Sequence, residues 1–160
     1  MAWTAPRTWV TGEIVTAAHL NVHLRDNTLD LDRRTSTIQG AVGAVESTTS
    51  TSYTDLATVG PSVAVTIGAV GKALVSLYTA LSNATANFAL MSWGTTGATT
   101  TFATDDWSIQ TNTTSDIRVG ATVMFSGGVA GSTTFNAKYR ATGGTAAFNA
   151  RRILATALGA

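Results

Sequence analysis

The stretch Thr133-Thr134-Phe135-Asn136-Ala137-Lys138-Tyr139-Arg140-Ala141-Thr142 decides the fold class. Phe135, Ala137, Tyr139 and Ala141 alternate with Asn136, Lys138, Arg140 and Thr142, and a period of two places the two sets on opposite faces of a strand. One face is expected to be buried and the other wet. The same alternation runs through Val63, Val65 and Ile67 and through Ala73, Val75 and Leu77. Strands are predicted at Tyr53 to Val59, Val63 to Ile67, Ala73 to Leu81, Phe88 to Trp93, Trp107 to Gln110, Ile117 to Phe125, Thr133 to Thr142 and Thr145 to Leu158. Gly60-Pro61, Gly127-Gly128, Gly131 and Gly143-Gly144 separate them as turns. The prediction is a mostly β protein, an antiparallel β-sandwich of jelly-roll type.

Upstream the period changes. About a fifth of residues 1–46 are charged, against about a tenth of residues 47–160, and the polar tract Ser47 to Ser52 marks the join. Two regions follow: an N-terminal arm and α-helix over 1–46, and the β-sandwich over 47–160. Thr16 is the expected N-cap of a helix from Ala17 to Gln39, with Gly40 and Gly43 as its stop. Ala17, Leu24, Leu31 and Ile38 recur every seven residues, with Leu20 at one intermediate position. That narrow seam suits a helix partner, although Asn27 and Arg34 at the other intermediate positions make it a weak coiled coil alone.

The chain has 160 residues, of which 12% are charged, about half the usual share, and 44% hydrophobic, with a mean hydropathy of +0.18. So sparse a charge content predicts surface hidden in an assembly. A net charge of +1 without a basic run argues against nucleic-acid binding. No cysteine is present, which excludes disulfides, thiolate nucleophiles and zinc-thiolate sites, and no secretory signal is expected at the N-terminus. Val63 to Leu81 imitates a membrane span but carries Lys72, two glycines and a period of two, so it is read as a β-hairpin, without membrane insertion.

The sequence offers little that resembles catalytic machinery. His19 and His23 share a helix face but lack a third ligand, so surface or interface histidines are expected rather than a metal site. Asp105 and Asp106 are neighbours rather than facing carboxylates and are read as turn residues. With no nucleophile elbow, phosphate loop or dinucleotide fingerprint, neither an enzyme nor a cofactor is expected. The sequons at Asn83 and Asn112 carry little weight in so Thr-rich a chain. Trp93, Trp107, Tyr53 and Tyr78 are read as core aromatics, with a sugar platform as the alternative. Trp3 and Trp9 flank Arg7 ahead of the helix, a combination that favours docking on a partner over folding back as a staple.

The run Pro6-Arg7-Thr8-Trp9-Val10-Thr11-Gly12-Glu13-Ile14-Val15-Thr16-Ala17-Ala18-His19-Leu20-Asn21-Val22-His23-Leu24-Arg25-Asp26-Asn27 resembles the N-terminal segment of tailed-bacteriophage virion proteins, the capsid fibres, head decorations and minor tail proteins in which it precedes a variable β domain. Gly131 to Arg140, followed by Gly143-Gly144-Thr145, is similar to the end of such proteins; the middle of the chain matches no family. The resemblance implies a particle-anchoring arm from Trp3 to Asn27, with Trp3, Pro6, Arg7, Trp9, Glu13, Asn21, Arg25 and Asp26 as its contact residues. It also implies a homotrimer, an outward-facing β domain, and a protein made in the host cytoplasm and assembled onto the virion beside other phage proteins. The expected function is thus a capsid decoration or short head fibre. The alternative is a tail-associated adhesin for a host surface glycan or cell-wall polymer, bound through loops such as Gly94 to Thr101 or Asn112 to Asp116.

Overall fold

Phe135, Ala137, Tyr139 and Ala141 are all fully buried in the computed structural model, which describes residues 4–5, 7–28 and 37–159, the side chains of Thr37 and Ile38 excepted. They lie on β8 (Gly131–Ala141), one of nine antiparallel strands among the described residues: β1 (Thr37–Val42), β2 (Glu46–Thr48), β3 (Ser62–Ile67), β4 (Lys72–Asn83), β5 (Ala89–Gly97), β6 (Ile109–Thr111), β7 (Ile117–Phe125), β8 and β9 (Ala146–Leu158). One sheet has the order β1-β9-β4-β7, with β2 extending the lane of β1 along β9; the other has the order β3-β8-β5-β6. The pairs β5–β6, β4–β7, β3–β8 and β1–β9 nest around one midpoint, so the chain is a long hairpin of strands rolled once across itself. The roll then sets β9 beside β4 and β8 beside β5. This is the jelly roll expected from the alternation.

The core lies between the sheets. Trp93 stacks on Trp107 with centroids 4.3 Å apart, and Phe125 and Phe135 meet Trp93 edge-on at 5.7 and 5.1 Å. Edge-to-face and offset contacts of this kind suit the ring quadrupoles, and each large ring removes about 150–250 Å² from water.

Three expectations are corrected. Among the described residues, the helix predicted to reach Gln39 comprises α1 (Ala17–Leu20), a π-type turn over Asn21–Asp26 and one further stretch to residue 28, whereas Ile38 and Gln39 belong to β1 and pair with Ala155 and Leu154. Gly40 is no helix stop but a point where two backbones touch: a Cβ there would run into the carbonyl of Ser62. Strand pairing therefore begins at Thr37, upstream of residue 47. The strand predicted over Tyr53 to Val59 is a single bridge, Thr54 to Tyr139, in a crossover segment whose Leu56 plugs the core. The hairpin predicted over Val63 to Leu81 is instead a corner, because β3 and β4 belong to different sheets and Gly68 to Gly71 turns the chain between them.

β9 contains the decisive irregularity. Tyr78 pairs with Arg152 but Ala80 with Asn149, so Thr79 faces both Ala150 and Arg151 across a β-bulge, and Ala150 takes a left-handed φ of 49°. The bulge shifts the inward phase from Ala146 and Phe148 to Arg151, Ile153 and Ala155. Arg151 is thus fully buried, with its guanidinium 5.3 Å from the Tyr139 ring centroid and Nη2 donating to Glu46 Oε2 at 2.9 Å. Its Nε and Nη1 have no partner among the described residues. Desolvation of that guanidinium and its two unmade hydrogen bonds offset the ion pair. Arg151→Met alone strands the Glu46 carboxylate, so the paired replacement of Arg151→Met with Glu46→Gln, which sheds both charges at similar volume, is expected to leave stability unchanged or raise it by about 1–4 kcal/mol in urea denaturation. A marked loss would show that the buried pair is a net source of stability.

Candidate functional site

Two surfaces qualify, the N-terminal arm and a groove on the sandwich. The arm closes on itself. Asn27, only 6% exposed, accepts from the Thr4 N–H at 3.0 Å and donates to the Thr4 carbonyl at 2.9 Å, clasping the start of the arm to the end of the helical segment. Thr16 caps α1, its hydroxyl accepting from the His19 N–H at 3.3 Å while His19 Nδ1 accepts from the Thr16 N–H at 3.5 Å. Trp9 packs edge-on against His19 and His23 at 5.6 and 6.2 Å. Arg7 pairs with Glu13, lies within 2.9 Å of His19 Nε2 and stands 5.3 Å from the Trp9 ring centroid.

The predicted anchor residues Arg7, Trp9 and Glu13 are thus brought together, and Trp9 folds back as a staple while 41% of it stays exposed. Arg25 pairs with its neighbour Asp26 at 2.8 Å, and Asn21 is exposed at the start of the π-type turn. Trp3, Pro6 and Leu31 lie outside the described residues. Of the predicted seam, Ala17, Leu20 and Leu24 are exposed, and Ile38 sits in β1. Trp9, Val15, Leu20, His23 and Leu24 line a mostly apolar hollow of about 340 Å³. Asn27, read above as a flaw in the seam, is the residue that closes the arm.

The second surface is a groove of about 810 Å³ on the outer face of the sheet β3-β8-β5-β6. Its floor is the wet face of β8, Asn136, Lys138 and Arg140, beside Gly94 and Thr96 of β5. The segment around Tyr53 forms one wall, held where Thr54 and Tyr139 exchange backbone hydrogen bonds at 3.0 and 2.9 Å. Residues 100–105 form the other. That loop is pinned by reciprocal backbone bonds between Thr95 and Thr101 and by the Ser92 hydroxyl donating to the Thr104 carbonyl at 2.7 Å. It passes so close over Gly94 that a Cβ there would lie 2.7 Å from the Thr101 carbonyl oxygen.

The charges in the groove are matched locally. Lys138 Nζ donates to both carboxylate oxygens of Asp55 at 2.8 and 2.7 Å, and Arg140 makes a two-point pair with Asp105. The Tyr53 hydroxyl donates to Asp105 Oδ1 at 2.8 Å. Arg140, foremost, and the Tyr53 hydroxyl hold the Asp105 carboxyl below its ordinary value, whereas burial first and Asp105 second push the Tyr53 phenol up to about 12. Asp105 and Asp106 do sit in a turn, opening the short 3₁₀ helix Asp105–Trp107, but Asp105 also belongs to this groove. Trp93 and Trp107 are core rings as expected, whereas Tyr53 is not. Of the predicted loop Gly94 to Thr101, residues 94–96 belong to β5 and line the groove with Thr100 and Thr101; Asn112 to Asp116 does not line it, and Asp116 instead accepts from the Ser82 hydroxyl at 2.6 Å. The wet face of β8 was legible as a strand face in the sequence. Its crossing by Tyr53 and by Asp55, 83 residues upstream of Lys138, was not.

Among the described residues no group of three metal-ligating side chains occurs, and no helix is long and apolar enough to cross a membrane. No family model matches the chain, and no curated protein does. Among solved structures, the CBM22-1 xylan-binding domain of Paenibacillus barcinonensis Xyn10C is 14% identical, with a TM-score of 0.39 over 76% of this chain and 87% of that one. The enzymatically active domain of bacteriophage CBA120 tailspike protein 4 is 11% identical, with a TM-score of 0.38 over 73% of this chain and 19% of that one. A Bacillus endospore appendage protein gives 15% and 0.30 over 78% and 90%. Likeness of this order concerns the run of the strands and says nothing of ligands.

Two measurements check these assignments. Asn27→Ala removes both halves of the clasp, so amide exchange at Thr4 and Ala5 is expected to accelerate by the equivalent of about 1–3 kcal/mol while the sandwich keeps its melting temperature. The depressed Asp105 carboxyl contributes stability at pH values above its unfolded value of 3.8. That contribution disappears as pH falls through the lower folded value, so Asp105→Asn is expected to flatten the acid limb of a melting-temperature profile.

Proposed function

We propose that this chain is a non-enzymatic structural protein of a bacteriophage virion, a homotrimeric capsid decoration or short head fibre held by its N-terminal arm. The observation that carries the reading is the state of that arm. Residues 4–5 and 7–28 are clasped into a defined shape, yet Val10 and Ile14 are 69% and 82% exposed, and Leu24, which lines the hollow beside Trp9, is 60% exposed. A segment that only needed solubility would be polar; one that is clasped in shape and apolar is built to be covered. Its sequence is also the part that resembles the phage segment.

The trimer is supported by exposed Ala17, Leu20 and Leu24 and by β7. This edge strand pairs with β4 on one side only and leaves Ile117 and Met124 39% and 53% exposed. Such an edge invites pairing unless an assembly covers it. Deleting residues 1–15 is expected to leave a folded trimer, by light scattering and circular dichroism, that no longer joins particles. Normal incorporation of the truncated protein in cryo-EM maps would remove the anchor assignment.

A second reading, an adhesin for host surface material, is favoured by the groove under Phe102, a site that neither anchoring nor trimer formation uses.

A further inference from the structure

We infer that the groove on the outer face of the sheet β3-β8-β5-β6 is a saccharide-binding cleft for an uncharged sugar chain, with Phe102 and Tyr53 as its stacking aromatics and Asp105, Arg140, Lys138 and Asn136 as its hydroxyl-reading groups. The ligand class rests on the adhesin reading only for its biological source; the chemistry comes from the cleft itself.

Phe102 stands on the pinned loop 100–105 at the rim of the groove and is 87% exposed, more than any other large hydrophobic side chain among the described residues. A ring held out over a polar floor by a hydrogen-bonded loop contributes nothing to the core. It gains when an apolar face of a ligand covers it. Across the groove the Tyr53 ring is backed by the Arg140 guanidinium, 5.4 Å from its centroid, and its hydroxyl is held by Asp105. Two rings flanking a strip of hydrogen-bonding groups match a pyranose chain, which presents C–H faces above and below and hydroxyls at its edges.

The polar groups are held in place and still have free valences. Arg140 engages Asp105 through Nε and Nη2 and the Tyr53 hydroxyl donates to Oδ1, which leaves Asp105 Oδ2 with room for a further donor. Asn136 donates through Nδ2 to the Thr96 hydroxyl and the Thr134 carbonyl, both at 3.2 Å, so its Oδ1 is left to accept. Groups already fixed by neighbours lose little freedom on binding. The volume of about 810 Å³ falls in the range of about 300–1,000 Å³ in which small-molecule clefts occur.

The same pairings set the ligand's charge. Lys138 is matched by Asp55 and Arg140 by Asp105, so no lining cation is free for a phosphate, uronate or sulfate, and no lining carboxylate is free for an amine. A charged ligand would have to break one of these pairs, whereas a hydroxyl adds to them without displacing either partner.

The test uses the full-length protein on an array of neutral gluco-, xylo-, manno- and galacto-oligosaccharides, with polygalacturonate, alginate and a glycerol-phosphate polymer as charged counterparts. At least one neutral series is expected to bind and the charged polymers not. Phe102→Ala should weaken that binding at least tenfold without changing the melting temperature, since the ring is exposed. Tyr53→Phe, which keeps the ring and removes the hydroxyl held by Asp105, should weaken it less than Tyr53→Ala. Silence across the neutral series, binding confined to the charged polymers, or neutral binding untouched by both Phe102→Ala and Tyr53→Ala would each overturn the inference. Pull-down on host cells run in parallel separates it from the adhesin reading. Cell binding without neutral-sugar binding sinks the cleft and spares the adhesin, and sugar binding without cell binding does the reverse.

Discussion

One extra residue in β9 governs much of the molecule. The bulge opposite Thr79 lets a single thirteen-residue strand keep a buried face along its length although its inward residues change parity, and it delivers Arg151 to the interior. Its place coincides with the break between β1 and β2: Val42 pairs with Arg151 and Glu46 with Phe148, so the partner lane interrupts where β9 bends. Arg151 then reaches Glu46, and the Glu46 carboxylate, lowered chiefly by the Thr58 hydroxyl, also accepts the Thr58 N–H at 3.0 Å. That contact fixes the crossover from β2 to β3. Tyr53 and Asp55 ride on this crossover, so the wall of the outer groove depends on an irregularity in the opposite sheet.

The jelly roll was legible because β3, β8 and the first half of β4 obey a period of two. β3, β4, β7 and β8 fall within two residues of their alternating runs, and β8 keeps its inward set over its whole length. The first lane was hidden because its signals point both ways. Residues 17–39 contain a seven-residue spacing of apolar side chains, but Thr35, Thr37 and Ile38 are β-branched, and such residues sit more readily in a strand than in a helix. Gly40 resolves the conflict only in three dimensions, since its reason is the Ser62 carbonyl from the other sheet. The bulge left a trace that periodicity carries: Phe148 and Ile153 are both buried yet five apart, which no unbroken strand allows.

The two candidate surfaces differed in legibility for the same reason. The arm's contacts are local, spanning at most 23 residues, and its motif could be read as a unit even though the role of Asn27 could not. The groove is assembled from three distant segments, and each looked bland alone: a wet strand face, a Thr-rich loop and a polar linker. Its aromatic rings add little separately. Tyr53 belonged to a segment taken for a strand, and Phe102 lay just past the loop Gly94 to Thr101. What joins them is the Arg140–Asp105–Tyr53 chain of hydrogen bonds, a tertiary fact with no one-dimensional counterpart.

The scarcity of charge acquires a different meaning once the partners are known. Glu13, Asp26, Glu46, Asp55 and Asp105 each pair with a cation, and every pair except Arg25–Asp26 fastens segments separated by at least six residues. Apart from the Glu46–Arg151 pair, whose arginine is buried, such exposed pairs contribute little to stability, typically about 0–1 kcal/mol, so their effect is mainly to fix geometry. Lys72, Arg118 and Arg152 are the cations left without an ion-pair partner among the described residues, and all three belong to the sheet β1-β9-β4-β7. A protein that relied on charge for dispersal would scatter unpaired acids and bases over its surface. Here the acids sit mostly at joints, in the arm, at the crossover and at the groove wall, and elsewhere the surface is largely Thr and Ala, uncharged and thin in side-chain bulk. The few charges that remain hold in shape the arm and the groove.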